Sequence, residues 1–189
     1  MLGFCLDPNI LQEPLKCCFE EAKLKIEEKL VQMRDLLESQ RWNVEFREVL
    51  ERFPYLKLSN LPRERKGSVC DVCHLSRSFT SKHLKFDGQC YDNETFECVE
   101  DDQKQRKMGF DAGIICASRS KLYHRVFHYK YKLFEKCQQA IDSFDSINYD
   151  KQSVLDTCMD NENWVSKLYD DFNEMYNAVL KMTTVDGKS

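Results

Sequence analysis

Cys70-Asp71-Val72-Cys73, then Gly113-Ile114-Ile115-Cys116, then His124-Arg125-Val126-Phe127-His128: these three pieces decide how the chain is read. Two thiols separated by two residues let both sulfurs converge from one tight turn, which is how a zinc knuckle supplies half of a tetrahedral site. The other half has to come from later in the chain. His124 and His128 lie one helical turn apart, about 6 Å along the axis and on one face, so both can reach a single ion. Cys116 and His124 would be about 12 Å apart in a continuous helix, too far for metal bonds of roughly 2.0–2.3 Å. They can share an ion only if Cys116 sits in a bent segment before the helix, with Ser118 or Ser120 as N-cap. The second ligand pair is therefore either His124 with His128 or Cys116 with His124. The expected cofactor is one zinc ion in a closed structural site. Cys90, Cys98, His74 and His83 are the reserve ligands.

Between the knuckle and the late ligands, residues 78–97 read as a hairpin. Phe79, His83, Leu84 and Phe86 surround one strand, Asp87-Gly88 supplies a turn, and Cys90-Tyr91 begins the return. Residues 99–108 are polar and read as a mobile loop. The apolar spacing then predicts a long helix over about 117–145. Knuckle, hairpin and ligand-bearing helix together make a treble-clef-like plan.

Upstream, Leu15, Phe19, Ala22, Ile26, Leu30, Met33 and Leu37 recur at helical spacing, which predicts an amphipathic helix over about 14–39. Packing on its own domain is the default for that face; a coiled-coil partner is the alternative. Trp42, Phe46, Val49, Leu50 and Phe53 continue the pattern until Pro54 stops it. Residues 55–66 read as a connector carrying the basic run Arg63-Glu64-Arg65-Lys66, expected as a solvated loop. Downstream, a break at 148–151 precedes a last helix over 151–182, with Ser153 placed to cap it. Residues 1–14 read as an irregular lead-in and 183–189 as a polar tail. The expected fold is mainly α with a small β-hairpin, one helical domain over 15–145 around the zinc unit, and a C-terminal helix packed on it.

The totals agree with a globular domain. The chain has 189 residues, 42% hydrophobic and 32% charged, enough to bury a core without disulfides. Its net charge of −4 argues against the whole molecule binding a polyanion. Ten cysteines would suggest disulfides in a secreted protein. Residues 1–14 carry no Lys or Arg, and Asp7-Pro8 interrupts their apolar run, so no signal-peptide plan is present. A reducing compartment is expected, not secretion, and no stretch is apolar enough for a membrane span. Asn93-Glu94-Thr95 is a glycosylation sequon that short sequences produce by chance. Cys5, Cys17, Cys18, Cys137 and Cys158 sit at or beside helical apolar positions and read as small buried hydrophobes.

One more surface stands out. Arg119, Lys121, Arg125, Lys130, Lys132 and Lys136 face one acid, Glu135, over that helix, with Tyr123, Tyr129 and Tyr131 interleaved. That composition fits contact with phosphates or an acidic protein, and equally a solvated face. A Cys116–His124 nucleophile and base, or a zinc-held water, would make an enzyme. The sequence carries no Gly-rich phosphate loop, His-Glu-x-x-His or Gly-x-Ser-x-Gly, so no catalytic residue is assigned.

The order Cys70-x-x-Cys73, Lys85-Phe86-Asp87-Gly88 with Tyr91-Asp92, Gly113-x-x-Cys116 and His124-x-x-x-His128-Tyr129-Lys130 resembles a carboxy-terminal domain of unknown function. It is the domain of the coiled-coil domain-containing protein 82 family, shared more distantly with glutamine/serine-rich and proline-rich chromatin proteins. Trp42-Asn43 and Phe46-Arg47-Glu48-Val49-Leu50 resemble its lead-in, so the likeness covers roughly residues 15–145. The resemblance implies a nuclear or chromatin-linked protein without catalytic activity. Lacking that family's long charged N-terminal region, this chain reads as a short form, a fragment or a stand-alone copy. The function expected is a non-catalytic, zinc-stabilised interaction module with a protein partner, with nucleic-acid binding through the basic helix as the alternative.

Overall fold

Three antiparallel strands form the sheet, in the order β1 (Tyr55–Asn60), β2 (Thr80–Asp87), β3 (Gly109–Gly113). The computed structural model describes residues 13–39, 41–63, 67, 69–75, 79–100, 107–143 and 151–186. Register sets Leu56 opposite Phe86, and Leu84 opposite both Leu58 and Phe110. Side chains alternate along a strand, so these residues and Ala112 make one apolar face. Tyr55, Lys57, His83 and Lys85 fall on the other.

Two sequence expectations change here. Residues 55–60, expected as connector, are an edge strand, and the return strand expected at 90–97 does not pair with β2. Asp92 instead gathers the N–H groups of Glu94 and Thr95 at 2.9 and 2.8 Å, and Tyr91 bridges Cys98. That closes the segment on itself, and β2 takes its partners from residues distant in sequence.

Helices cover the apolar face. In α2 (Val44–Arg52) the buried stripe is Phe46, Val49 and Leu50. The Phe46 ring meets Phe86 and Phe110 edge-on, with centroids 6.0 and 5.1 Å away. The helix expected over 117–145 is two: α3 (Ile114–Phe127) and α4 (Tyr129–Asp142), separated at His128, whose φ of −88° and ψ of 9° leave the helical range. In α1 (Glu13–Leu37) the residues Leu30, Met33 and Leu37 bury in the same core, the within-domain packing its stripe predicted.

The C-terminal helix is also two: α5 (Lys151–Asp160) and α6 (Glu162–Asp186). Asn161 separates them and its Oδ1 accepts the Trp164 N–H at 3.1 Å, so Asn161 is the cap and Ser153 lies inside α5. Met175 and Val179 of α6 reach the main core. Cys137 and Cys158 join Leu133 and Leu168 in a second cluster, as small buried hydrophobes. The helix continues past Thr183, where a tail was expected. The lead-in over 1–12, most of the basic run (64–66), the loop over 101–106 and the break at 144–150 lie outside the described residues, as do the side chains of Cys5, Cys17 and Cys18. No described helix is long and apolar enough to cross a membrane.

Candidate metal centre

Three sulfurs converge. Cys70, Cys73 and Cys116 offer Sγ atoms that all lie within 4.8 Å of one another, with Cys116 and Cys73 3.6 Å apart. Sulfurs bound tetrahedrally to one zinc at roughly 2.3 Å stand about 3.8 Å apart, whereas a disulfide would hold them near 2.05 Å. The cysteines are free thiols spaced for a metal.

Local structure explains the convergence. The His74 N–H closes on the Cys70 carbonyl at 2.7 Å, and His74 takes a left-handed φ of 54°, so residues 70–74 turn tightly and bring both knuckle sulfurs to one side. Cys116 arrives in the first turn of α3, which begins after Gly113. A helix N-terminus exposes backbone N–H groups and favours negative charge, here a thiolate. Cys70 is held well below the usual thiol range, chiefly by the Cys116 S–H it accepts, with the N–H groups of Gly113, Cys73 and Val72 acting against burial. Cys116 is pushed far up by that same contact. Amides aimed at a sulfur stabilise the ligating, deprotonated form.

The knuckle is fastened on two sides. Asp71 N–H donates to the Asp111 carbonyl at 2.9 Å, and Asp71 Oδ2 accepts the Asp111 N–H at 2.9 Å and Lys107 Nζ at 2.9 Å. Asn43 caps α2, accepting the Phe46 N–H at 2.7 Å. Its own N–H donates to the Val72 carbonyl at 2.9 Å, and its Nδ2 donates to the Asp71 carbonyl. Asn43 is a site residue that sequence reasoning did not single out; its position before an apolar run was the one available signal. Asn43→Asp keeps the cap and loses the clamp, costing about 1 kcal/mol, while Asn43→Ala loses both and costs about 2 kcal/mol. Chemical denaturation of the two variants checks this; an Asn43→Asp variant as stable as wild type would remove the clamp from the account.

His124 and His128 are elsewhere. Among the described residues the three cysteines alone form the cluster. Cys116 lies inside continuous α3, so the bent segment that would let it share an ion with His124 is absent. His124 Nε2 donates to the Phe53 carbonyl at 2.8 Å and His128 Nε2 to the Leu50 carbonyl at 3.1 Å. These carbonyls end α2, where no intrahelical donor remains. Two imidazoles one turn apart thus meet two carbonyls at one helix end. The Tyr91 O–H completes His128 by donating to Nδ1 at 2.5 Å. Burial holds His124 down to about 4 and His128 well below its usual value, so both rings are neutral. The reserve ligands also stand apart: His83 pairs with Asp111 at 2.5 Å, Cys90 is in the core and Cys98 is exposed.

Most of the basic residues are engaged within the domain. Arg119 reaches the Leu37 carbonyl at 3.5 Å, and Arg125 reaches Glu174 and the Asp171 carbonyl at 3.3 and 3.1 Å. Lys130 pairs with Glu27 at 3.1 Å and Lys132 with Glu135 at 2.7 Å. Lys121 is exposed and has no such partner among the described residues.

Over residues 1–96 the sequence matches the family described as Domain of unknown function (DUF4211). The chain belongs to this family. The DUF4211 match contains α1, α2, β1, β2 and the Cys70–Cys73 knuckle, and ends before Cys116. An uncharacterized protein of Schizosaccharomyces pombe is 20% identical over 133 residues, which is 70% of this chain and 20% of that protein. This chain thus spans about a fifth of the length of that relative. No solved structure matches.

Proposed function

We propose that this DUF4211 chain is a non-catalytic interaction module whose fold is pinned by one zinc ion held by Cys70, Cys73 and Cys116. The convergence of three sulfurs from a knuckle and a helix N-terminus supports the reading most directly. The ion would tie the knuckle, already bonded to β3 and α2, to the first turn of α3. Its contribution is then to folding, which is what such sites supply. Three sulfurs are one ligand short of the closed site expected from the sequence; the non-catalytic reading has a fourth protein ligand complete the tetrahedron, and a water in that place would favour the enzyme reading instead.

A nuclear, chromatin-linked setting comes from the resemblance to the protein 82 domain, and a protein partner would bind the helical surfaces around the site. Internal pairing of Arg119, Arg125, Lys130 and Lys132 makes nucleic-acid binding through that helix the weaker reading. Purified without chelator, the protein should carry about one zinc per chain by elemental analysis, and a chelator should lower its melting temperature. A metal-free preparation of unchanged stability would end the proposal.

A further inference from the structure

The two edges of the sheet differ. The Leu61 N–H donates to the Ser81 carbonyl at 2.9 Å, and the Phe86 N–H to the Met108 carbonyl at 2.9 Å. Hydrogen-bonded pairs alternate along an antiparallel ladder. With the observed register, Tyr55, Lys57 and Ser59 bond to β2, while Leu56, Leu58 and Asn60 turn their N–H and C=O groups to the free side. On β3 the outward residue Asp111 is covered by Asp71 through two bonds of 2.9 Å. On β1 no described residue pairs with the outward backbone groups. A strand with open donors and acceptors is a template for another strand.

A cleft of about 530 Å³ starts at this edge, between Pro54–Lys57 and the α3, α4 and α6 helices. Leu56, Tyr129, Leu133 and Leu168 supply apolar lining. Five cationic side chains line it against two carboxylates, Asp87 and Asp171, in a chain of net charge −4. Lys57 and Lys121 are exposed and have no acidic partner among the described residues. Three of the five are already paired, Arg125 with Glu174, Lys132 with Glu135 and Lys136 with Asp171, so the unmatched positive charge at the cleft is that of Lys57 and Lys121.

We infer that the β1 edge and this cleft dock an extended segment of a partner protein that alternates acidic with apolar residues and adds to the sheet as a fourth strand. Backbone bonds to Leu56, Leu58 and Asn60 hold the segment, alternate side chains enter the apolar cleft, and its carboxylates meet Lys57 and Lys121. The inference rests on the reading of the chain as an interaction module.

The test uses an array of eight-residue peptides alternating Glu or Asp with Val, Ile, Leu or Phe, and a matched array with Lys at the acidic positions. Acidic members should bind, Lys members should not, and bound peptide should slow amide exchange at Leu56 and Leu58. Lys57→Glu with Lys121→Glu should weaken binding tenfold or more. Asn60→Pro removes an outward N–H without taking a backbone bond from β2, and should weaken binding several-fold, whereas Asn60→Ala, which loses only the same side-chain bond from Lys82, should not. Zinc content measured on each variant reports separately on the metal reading. Absence of binding to any acidic member, equal binding by the Lys array, binding indifferent to Asn60→Pro, or displacement of the peptides by a DNA duplex would each overturn the inference.

Discussion

Replacing Cys116 by serine should release the metal and lower the melting temperature by about 10–20 °C. Structural zinc contributes roughly 10–16 kcal/mol in small metal-folded peptides. This domain has a core of its own, so about a third of that, some 5 kcal/mol, is the fair expectation. For a chain of this size each kcal/mol moves the midpoint by roughly 2–4 °C. Cys70→Ser and Cys73→Ser should behave alike, because all three sulfurs belong to one cluster. Cys98→Ser, on an exposed residue, and Cys137→Ser, in the second core cluster, should keep full zinc. Full zinc retention in Cys116→Ser would contradict the account, since it would move the site to residues that the structure keeps apart.

The second large effect is on acid stability. His124 and His128 are neutral in the folded state, and a histidine in the unfolded chain titrates near 6.5. Below that value the unfolded chain binds more protons, so their contribution is complete above about pH 6.5 and is lost as pH falls towards the folded value, about 4 for His124. In His124→Gln the amide can still donate to the Phe53 carbonyl but cannot titrate. The stability gap between wild type and His124→Gln should therefore shrink by about 2 kcal/mol from pH 7 to pH 4.5. His128→Ala, which orphans the Leu50 carbonyl and the Tyr91 hydroxyl and leaves a cavity, should cost about 3–5 kcal/mol at pH 7. A gap that stays constant with pH would mean that His124 is not buried neutral.

These histidines mark where sequence reading reached its limit. The spacing of His124 and His128 is equally right for one ion and for two carbonyls at a helix end. A carbonyl has no residue type to read, and Leu50 and Phe53 lie far off in the chain. Cys70, Cys73 and Cys116 were legible because thiols carry their chemistry in their identity. Helix α2 was legible from periodicity and from Pro54; α3 was legible as a helix but begins at Ile114, ahead of the start expected at about 117. The break at His128 was not, because the apolar pattern runs through it without Pro or Gly. β3 is only five residues long and bounded by Gly109 and Gly113, too short a run to show strand alternation. β1 carried a signal that was passed over: Tyr-Leu-Lys-Leu-Ser-Asn alternates between Pro54 and Pro62, which is how an edge strand reads. Asn43 shows the same limit as the histidines, since its cap was inferable and its grip on the knuckle was not.

X-ray absorption at the metal edge of the zinc-loaded protein tests the central claim most directly, because it counts the ligand types at the ion. Three or more sulfurs at about 2.3 Å, with no imidazole from His124 or His128, is the predicted shell. Two sulfurs with two imidazole nitrogens would contradict the account and restore the His124–His128 pair as ligands.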